Sequence, residues 1–168
     1  MHPRKWLRHW VAAALLTSSS AGVPTLAADV PHRLESPPSH EAVLRDSARD
    51  RVVVVAMFTL PGCPFCEAIR RDQLRHLARD QADRGLRLVE YDLTDRKPFT
   101  GSGARAESPA SPAALAASLG IRLAPTVVFL GPDGGELAER LVGYSSPDFY
   151  GAYLEQRIAQ ARSRLAGR

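Results

Sequence analysis

The chain has 168 residues, 45% of them hydrophobic and 24% charged, with a formal net charge of +4. That balance belongs to a folded globular protein; it excludes a largely disordered chain, and the length points to one domain. No apolar run reaches the ~20 residues of a transmembrane helix, which excludes a polytopic membrane protein, and a single pair of cysteines cannot staple a cysteine-rich miniprotein.

Residues 1–28 carry a message of their own. Arg4, Lys5 and Arg8 form a basic start, Trp10–Leu16 is a short apolar stretch, and small residues follow up to Ala27 and Ala28. This three-part layout is that of a secretory signal peptide with its cut after Ala27 or Ala28. The short apolar core leaves an uncleaved membrane-surface anchor open as well. Without residues 1–28 the net charge falls to +1, because the segment holds three basic residues and no acidic one. The argument for nucleic-acid binding goes with it.

Residues 29–38, with three prolines, read as an extended lead-in to a domain over 39–168. Ser39 can cap a helix from His40 to Arg49. Val52–Phe58 is a β-branched run fit for a central strand buried on both faces. After Pro61-Gly62, spaced apolar residues at Ile69, Leu74, Leu77 and Ala78 predict a helix from about Phe65 to Asp83, closed at Gly85. Leu86–Leu93 reads as a second strand. Residues 94–110 lack periodicity and form a long loop insert. Ser111-Pro112 starts a helix that ends at Gly120. Thr126–Leu130 and Glu136–Val142 flank a Gly-Pro-Asp-Gly-Gly turn and read as an antiparallel hairpin. Ser146-Pro147 starts the last helix, to about Leu165, with Phe149, Tyr153, Leu154 and Ile158 as its apolar face. The order predicts an α/β fold: a mixed sheet of about four strands with helices on both faces.

The chemistry concentrates at Cys63-Pro64-Phe65-Cys66. A C-x-x-C between a buried strand and a helix places Cys63 where free backbone N–H groups and the helix dipole stabilise a thiolate. Cys63 can then attack a substrate disulfide and Cys66 can resolve the mixed disulfide. Pro64 removes a donor from the loop, and Phe65 adds apolar surface beside the sulfurs. Arg70 and Arg71 follow within two turns as exposed cations of small effect. Zinc would need a second pair of ligands and haem attachment a histidine after Cys66, where Glu67 stands; no metal or other cofactor is expected beyond the redox-active cysteine pair. A structural disulfide stays open, although a loop this short constrains the unfolded chain little. Ala124-Pro125-Thr126 opens a strand with a proline. A cis bond there would free neighbouring backbone groups for an extended substrate; an ordinary trans edge proline is the other reading.

Across roughly residues 40–165, the order strand, PGCPFC, helix, strand, helix, APT-strand, hairpin, helix resembles the thioredoxin superfamily. Within it, TLPGCPFCE, the long insert, LGIRLAPTVVFL and GYSSPDFY are most similar to secreted bacterial thioredoxin-like proteins of the SoxW type. The resemblance implies a thioredoxin-like fold and thiol–disulfide exchange, with Cys63 as nucleophile, Cys66 as resolving thiol, and Ala124, cis-Pro125 and Thr126 against the substrate. It also implies protein disulfides as substrates, a membrane thiol donor of electrons and a periplasmic location for a monomer. Thioredoxin proper has Gly-Pro between its cysteines, where this chain has Pro-Phe, and a buried acid at the position of Met57. Glutaredoxins share Cys-Pro-aromatic-Cys but not Ala124 before the proline. Phe65 stands where an oxidant of the DsbA type carries histidine. Since Phe65 cannot stabilise a thiolate by charge, a reductase with a potential of about −200 mV or lower is expected rather than an oxidant near −120 mV. A disulfide oxidase or isomerase, and a non-catalytic binding module with a structural disulfide, are the alternatives.

Overall fold

The core is built around β1, Val53–Thr59, whose seven residues are all buried. A strand with no watered face must be covered on both sides, and the chain covers it with helices. The structure is a computed structural model that describes residues 33–100 and 108–168; the signal-like residues 1–28 and the middle of the 94–110 insert lie outside the described residues. Its sheet has the order β2-β1-β3-β4, with β2 at Leu86–Asp92, β3 at Thr126–Leu130 and β4 at Glu136–Val142. β1 runs parallel to β2 and antiparallel to β3, and β3 and β4 form the expected antiparallel hairpin. The sheet is therefore mixed, four-stranded and flanked by helices, as the element order predicts.

Side-chain alternation along β1 divides the core in two. Val53, Val55 and Met57 join Cys66, Ile69, Leu74, Leu154 and Ile158 on one face. Val54, Ala56 and Phe58 join Val43, Tyr91, Leu115 and Phe99 on the other. α1 (His40–Asp50) and α4 (Pro112–Ser118) cover the second face. Ser39 and Ser111 cap them as the sequence indicates, accepting hydrogen bonds from Ala42 N–H at 3.3 Å and Ala114 N–H at 3.2 Å. The described ends of the insert belong to this face too: Phe99 is buried, and its N–H donates to Ala110 O at 2.8 Å.

The helix expected over 65–83 is shorter and is not regular. α2 spans Pro64–Ile69, a π-helical turn follows over Arg70–Leu74, and α3 spans Arg75–Arg79. Arg70 and Leu74, at the two ends of this turn, are both buried. The helix stops at Arg79 because the chain must turn to launch β2. Gln81 O accepts from Leu86 N–H and Gln81 Oε1 from Leu88 N–H, both at 2.8 Å, so Gln81 feeds β2 and not the helix.

α5 runs Pro147–Ala166, close to its expected span, but its buried face differs. Tyr150, Leu154, Ile158 and Ala161 are buried, whereas Phe149 and Tyr153 point to solvent. The two aromatics lie one residue off the i, i+4 stripe that meets the sheet. Among the described residues, no helix is long and apolar enough to cross a membrane.

His40 is buried on the α1 face, with Nδ1 hydrogen-bonded to the Tyr91 hydroxyl at 2.9 Å. Burial lowers its pKa from 6.5 to about 4, with neighbouring Glu41 opposing the shift. An unfolded chain takes up this proton near 6.5 and the folded chain only near 4, so the unfolded state binds more protons between those values. Stability is then lost as pH falls from about 6.5 through about 4, by up to about 3 kcal/mol. Urea midpoints measured across that window are expected to fall more steeply for the native chain than for His40→Gln; parallel curves would show that His40 does not carry the dependence.

Candidate active site

β1 delivers the chain to the site and releases it at Thr59. Gly62 takes φ +69° in the turn that follows, a left-handed conformation that glycine adopts without strain. Cys63 N–H donates to Leu60 O at 3.3 Å and closes this turn. Cys63 is then the N-cap of α2, with extended backbone, and Pro64 occupies the first helical position, where its missing N–H costs nothing. The Cα atoms of Cys63 and Cys66 lie 5.3 Å apart and the residues are disulfide-bonded. Cys63 Sγ accepts from Cys66 N–H at 3.3 Å, so a free helix-end donor is aimed at the first sulfur. The same donor and the helix dipole favour a thiolate there once the pair is reduced.

The two cysteines differ in access. Cys66 has no exposed surface, whereas Cys63 is half-buried at the rim. Pro64 is exposed, and the Phe65 ring is 57% exposed. That ring lies 6.3 Å from the Tyr144 ring, which in turn lies 5.5 Å from Tyr150. Leu123, Val142, Phe149 and Tyr153 are further exposed apolar side chains of the surface. The grooves of about 560 and 680 Å³ are lined elsewhere, by Arg51, Gly85 and Arg162 in one and by His40, Leu44 and Leu115 in the other. The disulfide is presented on an apolar rim and not inside either of these grooves.

The Ala124–Pro125 peptide is cis. Pro125 O accepts from Gly143 N–H at 2.8 Å, with Gly143 at φ +77°. Ala124 packs against the same apolar cluster as Cys63 and Tyr144. Thr126 behaves differently. It pairs with Phe58 and Val142 in the ladder, which puts its side chain on the face opposite the disulfide, and its hydroxyl donates to Leu123 O at 2.8 Å. The structure thus brings Cys63, Cys66 and Ala124 onto one cluster and turns the Thr126 side chain away from it.

Sequence reasoning missed Arg70. It was expected among exposed cations, yet it is only 2% exposed. Its guanidinium donates to Glu90 Oε2 at 2.7 Å, to Thr59 Oγ1 at 2.7 Å and to Glu67 Oε1 at 2.5 Å. Glu90 is 3% exposed and stands in register with Met57 on the neighbouring strand. A buried carboxylate therefore does lie on the cysteine face of the sheet, but on β2 and already paired. The signals were present. Glu90 continues the inward period of Leu86 and Leu88, and Arg70 lies four residues after Cys66, inside the apolar stripe of its helix. Among the described residues, no group of three or more His, Cys, Asp or Glu could hold a metal ion.

Residues 41–158 match the model of a thioredoxin-like domain family. No curated protein is a significant match to the chain. The thioredoxin of Malassezia sympodialis is 20% identical with a TM-score of 0.52, covering 74% of this chain and 90% of its own. A poplar thioredoxin h is 19% identical with a TM-score of 0.51, covering 73% of this chain and 94% of its own. The periplasmic thioredoxin SoxS of Paracoccus pantotrophus is 24% identical with a TM-score of 0.44, covering 65% of this chain and 98% of its own. At these identities the Malassezia and poplar thioredoxins speak for the fold, and the family match, which spans well over half of the sequence and contains the disulfide, decides the family: the chain belongs to the thioredoxin-like domain family.

Proposed function

We propose that this thiol–disulfide oxidoreductase is exported to the periplasm and reduces disulfides in partner proteins there. The observation that carries the reading is the asymmetry of the pair: Cys63 at the rim and at the helix N-cap, Cys66 fully buried behind it. Only the first sulfur is open to a macromolecular disulfide, and it is the one that the helix end favours as thiolate.

In the reduced protein the Cys63 thiolate attacks one sulfur of the substrate disulfide. A mixed disulfide forms, and the other substrate sulfur leaves as a thiolate that takes up a proton from solvent. Cys66 gives up its proton to solvent and, as thiolate, attacks Cys63 Sγ, so that the second substrate sulfur leaves as a thiolate and takes up a proton in turn. Two electrons have moved to the substrate and the protein is left as the Cys63–Cys66 disulfide. A dithiol donor must restore it, and the resemblance to proteins of the SoxW type makes a membrane thiol transporter the proposed donor. Pro64 and Phe65 shape the loop between the sulfurs. Ala124, Pro125 and the backbone of Thr126 are the proposed substrate-binding segment, supported by Ala124 lying just outside the ladder and on the cluster that holds Cys63.

The apolar rim supports a protein as substrate, and we take the enzyme to act on it as a monomer. A small polar disulfide would gain nothing from Phe65, whereas an unfolded or flexible segment can bury part of that ring. Export rests on the composition of residues 1–28, whose removal also leaves a chain of near-neutral charge with no electrostatic case for nucleic acid.

Cys63→Ser is expected to abolish reduction of insulin disulfides, and Cys66→Ser to accumulate the mixed disulfide; full turnover by Cys63→Ser would overturn the mechanism. A redox titration of the pair against glutathione buffers is expected to give a midpoint of about −200 mV or lower, while a value near −120 mV would identify a disulfide oxidase. Phe65→Ala is expected to raise KM for insulin several-fold and to leave the rate with a small aromatic disulfide nearly unchanged. Equal losses on both substrates would show that the ring acts on the sulfurs and not on the substrate.

A further inference from the structure

We infer that Arg70 is a positioning residue for thiol–disulfide exchange: by binding the Glu67 carboxylate it keeps that negative charge away from the attacking sulfur of Cys63. The inference rests on the reading of Cys63 as the nucleophile.

Cys63, Glu67 and Arg70 occupy positions i, i+4 and i+7 and so share one stripe of the helix. Glu67 N–H donates to Cys63 O at 3.1 Å, which places Glu67 one turn beyond the sulfur-bearing cap. Helical side chains lean toward the helix N-terminus. A free Glu67 would therefore lean toward Cys63, where a like charge disfavours a thiolate. Instead its carboxylate is turned the other way, onto Arg70 Nη1 at 2.5 Å.

Charge balance alone does not require this contact, although it also gives the buried Arg70 Nη1 its acceptor. Glu90 alone neutralises Arg70 in the interior, at 2.7 Å and with both side chains almost wholly buried. Glu67 is 49% exposed and is solvated without help. The third arm of the guanidinium reaches Thr59, the last residue of β1. The planar fork is thus fixed by two buried acceptors, and a fixed fork holds Glu67 in one place. Glu67 and Glu90 are the charged side chains bonded to the guanidinium.

The full chain, reduced, is the material for the test. Arg70→Lys keeps a cation for Glu90, but a single ammonium does not reproduce the fork, so Glu67 is released. Iodoacetamide alkylation of Cys63 at pH 7 is expected to slow about three- to ten-fold, as a like charge approaches the thiolate. The equilibrium with glutathione is expected to move toward the disulfide by up to the same factor, and ten-fold corresponds to about 30 mV. Adding Glu67→Gln to Arg70→Lys is expected to restore both values to within about two-fold of the native chain, a rescue that lost packing would not give. An unchanged Arg70→Lys, or a slow one that Glu67→Gln does not rescue, overturns the inference. Should Arg70→Lys not fold, Arg70→Met/Glu90→Met removes the buried pair together and is read in the same way, with and without Glu67→Gln. A native chain whose Cys63 neither alkylates nor reduces insulin would instead defeat the exchange reading itself.

Discussion

β1 has water on neither face, and the rest of the molecule follows from that constraint. Seven buried residues must be covered by two helical layers, so the chain reaches solvent only at the end of the strand. There it turns at once, through Pro61 and Gly62, and starts the helix that lies back on the sheet. The cysteines sit at that turn because it is where a deeply buried backbone and an open helix end meet. The first sulfur is left at the rim and the second is carried under the helix, a division of access set by the direction of α2 and not by the cysteines themselves.

The two helical layers are tied to the sheet by polar contacts from adjacent residues of β2. Glu90 points to the cysteine face and holds Arg70; Tyr91 points to the other and holds His40 of α1. Consecutive strand residues serve opposite faces, so one short piece of β2 anchors both layers. The contacts differ in kind. The His40–Tyr91 bond joins two groups that burial keeps neutral, the phenol being pushed above its ordinary range and the imidazole below its own. Arg70 and Glu90 form an ion pair, whose burial is costly unless every arm is bonded. Thr59 and Glu67 complete the guanidinium, and Leu34 N–H adds a contact of 3.3 Å to Glu90 Oε2.

Much of this was legible in the sequence. The β-branched run predicted β1 to within a residue at each end, and the serine caps at Ser39 and Ser111 hold by their own hydroxyls. The Gly-Pro-Asp-Gly-Gly turn set the hairpin. What failed was long-range. The end of the long helix depends on Gln81 serving β2, a demand that periodicity does not show. Phe149 and Tyr153 are apolar and yet exposed, because the stripe that meets the sheet is the one through Tyr150 and Leu154. Arg70 read as a solvated cation because most arginines are, and the acid that makes its burial possible lies on another strand. Met57 marked the absence of an acid from β1; it gave no hint that Glu90 stands beside it in register.

The residues before α1 also alter what the sheet can do with its neighbours. Glu35 O accepts from Glu90 N–H at 2.8 Å, Ser36 Oγ donates to Glu90 O at 3.1 Å, and Leu34 and Pro37 are buried. These contacts occupy the middle of the outer rim of β2. An open strand rim is a template for adding a foreign strand and hence for aggregation. With one rim occupied, pairing with a foreign strand is left to β4, where Glu139 and Arg140 place charges that oppose such stacking. Residues 33–38, with their two prolines, thus work as an edge guard against strand-to-strand pairing with other chains.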